Sequence, residues 1–546
     1  MTDPEPDRRT VIIGPPPTPN GDLHLGHLAG PYLAADVHAR YLRATGRSVV
    51  YATGTDDSQT YVVASAARLG IEPAELAARS AHDIRRTLAS MGISVDGFAP
   101  FDDEYRATVL DFLTRLHDAG RFELRTVRLP WSVRARRFLV EGLVSGGCPV
   151  CLVESRGGLC ESCGHPNNFD ELTGPRSTVD PDDEVVLREA RILVLPLEPY
   201  REQLTAFYAA AQATWRPRIT QLVRELLARP LPDFPVTYPV PWGIPAPFPE
   251  TPGQVLNAWA EGMPASMFCT AFAQRRLGEA PPAVDELWRA EEGVRLVYFL
   301  GFDNAYFWGV THLALLLAHD GRYVLPDTIV CNEFYELENE KFSTSRGHVV
   351  WAEDLLREVP RDLVRFHLAL TAPEHARTGF SRAALEKVTG TRLVGPWNTL
   401  AGLLNKAVAE LGVADLTLPA SPEARHRCEL MAERFAACYE LAGYSLSRAA
   451  DLIVVHVDRL LTAAYQLPSA APAAEREPAV QRLGDLFLEL RTLVVAASPI
   501  LIDLAEVTAA AGIETSGLAP PAAVPAFTVP VLGGARDPED AACTSP

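Results

Sequence analysis

The sequence predicts a doubly wound, Rossmann-type α/β catalytic domain built on a parallel sheet, interrupted by a zinc-knuckle insertion and followed by an α-helical bundle. Three observations carry this reading. Strand and helix signals alternate at the amino end, two C-x2-C pairs sit close together in a glycine-rich stretch, and residues 389–504 repeat apolar side chains at helical spacing only.

The elements follow in order. Thr10 to Gly14 is an apolar strand, and a proline loop, Pro15 to Asp22, leads to His24-Leu25-Gly26-His27. That run opens a helix from Leu25 to Ala44; Ser48 to Gly54 is the next strand, and a second helix starts near Ser58. Such βαβ units bind ligands at the carboxyl ends of their strands, where the proline loop, His24 to His27 and Thr55-Asp56-Asp57 all fall. Two imidazoles and a glycine at a helix start make a phosphate site: backbone N–H groups and the helix dipole attract anions, each His can donate, and Gly26 admits a nucleotide closely. Residues 126–235 read as an insertion with helical segments from Tyr200 to Arg229. The sheet resumes near Thr237 and runs through Val294 to Val330, before the loop Lys341-Phe342-Ser343-Thr344-Ser345-Arg346-Gly347. Apolar faces then recur in Leu393 to Leu411, Glu429 to Leu441, Leu446 to Ala464 and Val480 to Val495. The expected division is 1–125 and 236–385 for the two halves of the catalytic domain, 126–235 for the insertion, 386–513 for the helical domain, and 514–546 for a disordered, Ala- and Pro-rich tail.

Composition bounds the function. A chain of 546 residues is too long for one core, and 47% hydrophobic with 22% charged residues reads as globular. No apolar run reaches about 18 residues, and the polar start MTDPEPDRRT is no signal peptide, so a cytoplasmic protein is expected. The net charge of −19 argues against broad nonspecific nucleic-acid binding and leaves room for a local basic groove. Of nine cysteines, Cys148, Cys151, Cys160 and Cys163 form paired knuckles whose thiolates converge on one tetrahedral ion. Four sulfurs close the site, so a structural Zn²⁺ is expected, stapling an insert too small for its own core.

The run His24-Leu25-Gly26-His27 with the downstream Lys341 to Ser345 resembles the "HIGH" and "KMSKS" elements of class I aminoacyl-tRNA synthetases, with the methionyl-tRNA synthetase subfamily the closest match, from Thr10 to Glu506. Tyr51 to Asp57, the four-cysteine insert and Gly301-Phe302-Asp303 share in it. The resemblance implies an ATP-dependent, AMP-forming ligase: an amino-acid carboxylate attacks the α-phosphate of ATP, with Mg²⁺ bridging the phosphates. His24, His27 and Lys341 would be catalytic, binding phosphate oxygens; Gly26, Ser343, Thr344 and Ser345 would line the ATP site, in a loop able to close over it. Asp57 would hold the α-amino group and Asp303 would be a second acidic group of the site.

The same comparison exposes departures. Thr344 replaces the second lysine of the loop, leaving Arg346 as the neighbouring cation. Pro15, Pro16, Pro17 and Thr18 stand where the subfamily has Ala-Leu-Pro-Tyr. Trp259 is kept, but Gly262, Met263 and Ser266 replace Ala, Pro and Tyr, and Asn304 and Trp308 replace Ile and His. A pocket lined by Pro15, Thr18, Trp259, Gly262, Ser266, Asn304 and Trp308 suits a smaller or more polar substrate than methionine. In the helical domain, where the subfamily reads the anticodon, Asn398 is present, the arginine position is Gly402, and Val455 to Gln466 has only Tyr465 as an aromatic. Two functions compete: a paralogue that activates another amino acid and passes it to a small-molecule acceptor, as methionyl-type domains do in N–N bond-forming (hydrazine-type) biosynthesis; or a methionine–tRNA ligase of protein synthesis with an unusual pocket. Partners are accordingly ATP, an amino acid, and either tRNA or a small molecule. A non-enzymatic RNA-binding relic is the third reading, and retention of His24, His27 and Lys341 speaks against it.

Overall fold

The computed structural model describes residues 8–210, 215–338, 340–342, 348–414, 416–467, 476–514, 517 and 519–533. Its centre is a five-stranded parallel sheet of β1 (Thr10–Ile13), β2 (Val49–Thr53), β3 (Gly97–Phe98), β4 (Arg295–Gly301) and β5 (Thr328–Asn332), in the order β5-β4-β1-β2-β3. Strand residues face the two sides alternately, and both sides are apolar, as a sheet covered on both faces requires. Ile12, Tyr51, Val297 and Phe299 join one core with the helical bundle. Val11, Ile13, Val50, Ala52, Leu296, Tyr298 and Leu300 join the other. The chain runs outward from β1 to β3 and then returns to β1's other side as β4. The switch point therefore lies between β1 and β4, where such sheets bind ligands.

The helix expected from Leu25 to Ala44 is present in three parts: α1 (Leu25–His27), a wide turn (Leu28–Tyr32) and α2 (Leu33–Ala44). Gly30, with ψ −115°, and Pro31 mark the interruption. The insertion is mostly β: Glu123–Ser132 pairs over ten positions with Val185–Pro196, and Asp233–Pro235 and Arg137–Phe138 flank them. The helix α3 (Asp103–Asp118) packs against α4 (Ala258–Arg276), which covers β2 and β3.

The helical bundle comprises α5 (Gly395–Leu411), α6 (Pro422–Tyr439), α7 (Leu446–Ala464) and α8 (Arg476–Ala497). Arg365, wholly buried, joins it to the sheet domain by donating to the carbonyls of Met91, Pro499 and Ile500 and to Asp36 at 2.6 Å. The tail departs from expectation. Residues 519–533 lie along the bundle, and Ala523–Pro525 pairs with Thr417–Pro419. Val524, Phe527 and Val529 are buried. Asn398 and Asn405, seven residues apart on one face of α5, each donate to and accept from the backbone of Leu532 and Val529 respectively, and the Trp397 indole donates to Pro530. Side-chain amides thus supply the pairing that keeps an Ala/Pro-rich segment in place. Among the described residues no helix is long and apolar enough to cross a membrane.

Candidate functional site

A cavity of ≈ 350 Å³ opens at the carboxyl ends of β1 and β4. Its β1 side is the proline loop. The Tyr32 hydroxyl donates to the Pro15 carbonyl at 2.7 Å, the Asp56 amide donates to Pro17 at 3.1 Å, and Asp22 accepts from Leu23 N–H and Thr87. Three prolines pre-set φ, so few further bonds are needed to hold the loop.

His24 caps α1: its Nδ1 accepts from Gly26 N–H at 3.1 Å, while His27 Nδ1 accepts from His24 N–H at 3.3 Å. An imidazole nitrogen that accepts carries no proton. Both neutral rings are therefore held as the Nε2–H tautomer, with a donor on Nε2. The rings stack at 3.8 Å, and Phe342 stacks on His24 at 4.7 Å. A Cβ on Gly26 would lie 3.0 Å from two His24 ring atoms and 3.2 Å from Phe342. The glycine thus also serves the packing of these rings. The segment after the Lys341 loop also returns here, where Leu25 N–H donates to Val350 and Ala352 N–H to Leu23. The Lys341 side chain and Ser343, Thr344 and Ser345 lie outside the described residues.

The far end of the cavity is aromatic. Trp259 stacks on Phe307 at 3.7 Å, nearly parallel. Trp308 is buried, edge-on to Tyr298 at 5.1 Å and tilted over His312 at 4.6 Å. His312 Nε2–H donates to the Trp259 carbonyl at 2.9 Å, and burial lowers the imidazole pKa to about 4, so it is neutral. Gly262 faces His312, with room for ordinary contact only. Asn304, a polar group in need of a partner, finds one: its amide donates to Asp303 at 3.1 Å. Burial raises the Asp303 carboxyl above the usual range.

The lining thus brings together His24, Gly26, His27, Pro15, Thr18, Trp259, Gly262, Asp303, Asn304 and Trp308. Two expected residues stand outside it. Asp57 accepts from Thr55 and lines a separate cavity with His82, Phe101 and Arg106, and Trp242 donates to its carbonyl at 2.9 Å. Its neighbour Asp56 faces the site instead, because successive residues leaving a strand point to opposite sides. Ser266 is buried on α4 and donates back to the Gly262 carbonyl at 2.9 Å, a bond within its own helix that turns it from the cavity. Asp56 Oδ2 accepts from Gln59 at 2.7 Å, and Oδ1 has no partner among the described residues. Burial, with Glu261 nearby, pushes the Asp56 carboxyl well above its usual range. Glu261 itself is wholly buried, accepts from the Tyr105 hydroxyl at 2.8 Å, and is pushed up to about 7, chiefly by burial. Sequence reading missed Asp56, Phe307 and His312; the last was signalled only by its i+4 spacing from Trp308.

The four knuckle cysteines do converge. All four sulfurs lie within 4.8 Å of one another, with Cys148–Cys163 at 3.7 Å and Cys151–Cys160 at 3.6 Å. Four thiolates at about 2.3 Å from one tetrahedral zinc stand about 3.8 Å apart, so this donor set fits the ion.

The family model described as "tRNA synthetases class I (M)" matches residues 10–407. A methionine–tRNA ligase of Porphyromonas gingivalis is 33% identical over 378 residues, 68% of this chain and 54% of that protein. One of Chlorobium limicola is 32% identical over 412 residues, 73% and 57% of the two chains. The chain spans about half the length of the curated relatives it matches. Among solved structures, Mycobacterium tuberculosis methionyl-tRNA synthetase bound by methionyl-adenylate superposes with a TM-score of 0.75 at 20% identity, over 96% of this chain and 99% of that one. The apo form of the same enzyme gives 0.70 at 17%.

Proposed function

The chain belongs to the class I tRNA synthetases of the methionyl type, and from that premise we propose that it forms an aminoacyl adenylate from ATP and an amino acid other than methionine. The aminoacyl group then passes to a small-molecule acceptor in specialised metabolism, of the N–N bond-forming kind. One observation carries the choice of substrate: the aromatic end of the cavity, where Trp308 is packed between Tyr298 and His312 and Trp259 is stacked on Phe307. A packed indole yields volume only at the expense of several contacts, so a long thioether has no ready room beside it.

The chemistry is displacement at phosphorus. A carboxylate oxygen of the amino acid attacks the α-phosphorus, and the bond to the β-phosphate breaks with its electron pair leaving on pyrophosphate. His24 and His27 present Nε2–H donors to the phosphate oxygens, where charge grows in the transition state. The substrate's ammonium meets Asp56, whose carboxyl burial pushes well above its usual range and which a neighbouring cation draws back toward the ionised form. Asp56, Glu161, Asp303 and Glu333 line the cavity, and no Lys or Arg does among the described residues. Lys341, and Mg²⁺ if bound with the nucleotide, would supply the charge neutralisation this acidic lining lacks.

The second reading, a methionine–tRNA ligase, is favoured by the identity of 33% to relatives of that name. Pyrophosphate exchange with each of the twenty standard amino acids, followed by charging assays with total tRNA, separates them. Exchange strongest with a small or polar amino acid and no charged tRNA supports the proposal; methionine-dependent exchange with charged tRNA overturns it.

A further inference from the structure

The cavity that holds Asp57 shares no lining residue with the first, and at ≈ 710 Å³ it is the larger of the two. They lie back to back. Asp56 lines the inner cavity and Asp57 the outer, and Tyr105 and Arg106 divide in the same way. The outer walls come from the exits of β2 and β3, the helix Pro73–Ser90 and the segment 242–245.

Each wall has its own chemistry. The helix presents Ala74, Ala77, Ala78 and Ala81, at i, i+3, i+4 and i+7, which make one flat apolar floor. Trp242 is pinned by its indole N–H on the Asp57 carbonyl at 2.9 Å, and no ring stacks on it among the described residues. A flat floor and a free indole face suit a planar ring. Deeper in, Asp57 is only 8% exposed. Its Oδ2 accepts from the Thr55 hydroxyl, and its Oδ1 has no hydrogen-bond partner among the described residues. A buried acceptor left unpaired is costly, and a ligand N–H would satisfy it. At the mouth the sign reverses. Arg106 pairs with Asp103 at 2.9 Å and lies over Phe101 at 4.4 Å. The exposed Arg85 has no ion-pair partner among the described residues, and His82 stands one turn before it.

One acceptor deep inside, planar walls and a cationic rim match the amine, the base and the phosphate of a nucleotide. The size agrees: ligand cavities run from about 300 to 1,000 Å³, and a free amino acid would fill only a fraction of this one. The count of acceptors chooses the base. Guanine offers two neighbouring donors to a carboxylate and needs both oxygens, whereas adenine offers its one amine, and Thr55 leaves one oxygen. Because Asp103 already neutralises Arg106, the rim carries charge for one phosphate group and not for a polynucleotide. We propose that this outer cavity binds a free adenine nucleotide, its amine on Asp57, its ring between the alanine floor and Trp242, and its phosphate on Arg85, as a second nucleotide site separate from the one at His24 and His27.

The test is photolabelling of the full native chain with 8-azido-AMP followed by peptide mapping, alongside equilibrium dialysis with labelled AMP. Label should appear within residues 73–106 or 242–245, in addition to any within 15–32. Ala78→Trp, a change at an exposed position of the helix, should remove this outer label and one bound AMP per chain while leaving the inner label in place, and Arg85→Ala should weaken outer binding about tenfold. IMP, which carries a carbonyl where AMP has its amine, should compete for the outer site about tenfold less well than AMP. Label confined to 15–32, an outer label unchanged in Ala78→Trp, or equal competition by IMP would overturn the inference. Competition by an adenosine-ended RNA oligonucleotide stronger than that by AMP would overturn the assignment to a free nucleotide. Binding is read without turnover, so absence of pyrophosphate exchange in the native chain would remove the adenylate-forming reading and leave this one standing or falling by the outer label.

Discussion

Gly26→Ala tests whether the two imidazoles act through their fixed orientation. The added Cβ would stand 3.0 Å from His24 Cε1 and Nδ1 and 3.2 Å from Phe342 Cδ2. Comfortable carbon contacts begin near 3.5 Å, so roughly 0.5 Å must be found. The backbone of α1 is pinned by the bonds from Leu25 to Val350 and from His27 to His24, so the rings must move instead. Moving His24 breaks its bond from Gly26 N–H, worth about 1 kcal/mol, and disturbs the 3.8 Å stack on His27. A misplacement approaching 1 Å at a group acting in the transition state costs on the order of 10²-fold in rate. Pyrophosphate exchange should therefore fall by roughly 30- to 100-fold in kcat, with the KM for ATP little changed. The double variant with His24→Ala should be no slower than His24→Ala alone, because the methyl acts only through that ring. Exchange in Gly26→Ala within about threefold of the native rate, or full additivity in the double variant, would refute the reasoning.

Three further outcomes follow from the geometry. Glu261, with its folded pKa near 7 against an ordinary 4.5, binds a proton in the folded state that the unfolded chain releases, so its contribution to stability falls as pH rises from about 4.5 to 7 and is level above. Glu261→Gln keeps the Tyr105 bond and should stabilise the protein at pH 8 by on the order of 3 kcal/mol, with no gain near pH 4; denaturant titrations at the two pH values check this. Cys160→Ser, or a strong zinc chelator, should take the metal content from one zinc per chain to none and open the knuckle to trypsin at Arg156 and Arg176, read by elemental analysis and peptide mapping. Trp308→Ala should destabilise by about 3–5 kcal/mol and raise methionine-dependent exchange about tenfold relative to the best small amino acid; an unchanged ratio would show that the indole does not limit the pocket.

Much of this was legible in the residues because the signals were local. His24 to His27 caps its own helix, the four cysteines are close in sequence, and each core strand alternates between two apolar cores. What escaped depended on which way a side chain turns. Asp56 and Asp57 are adjacent and chemically equal, and only the chain's path out of β2 decides which one faces the cavity. Ser266 was placed by position along α4, yet its hydroxyl is used within its own helix. Asn304 read as an orphan amide until Asp303 came beside it. The segment 519–533 has the composition of a disordered tail, but Asn398 and Asn405 on a distant helix satisfy its backbone. No window of sequence contains both partners. The stack of Phe342 on His24 is likewise a contact between elements far apart in the chain, and it ties the Lys341 loop to the phosphate site.

The central claim is that an amino acid smaller or more polar than methionine is activated at the mouth of β1 and β4. The most direct measurement is exchange of labelled pyrophosphate into ATP by the purified chain, without tRNA, for each standard amino acid in turn. The account predicts exchange that needs both ATP and an amino acid, is highest for a small or polar one, and for methionine is lower by about ten- to a hundredfold. Exchange highest with methionine, or none with any amino acid, would contradict it.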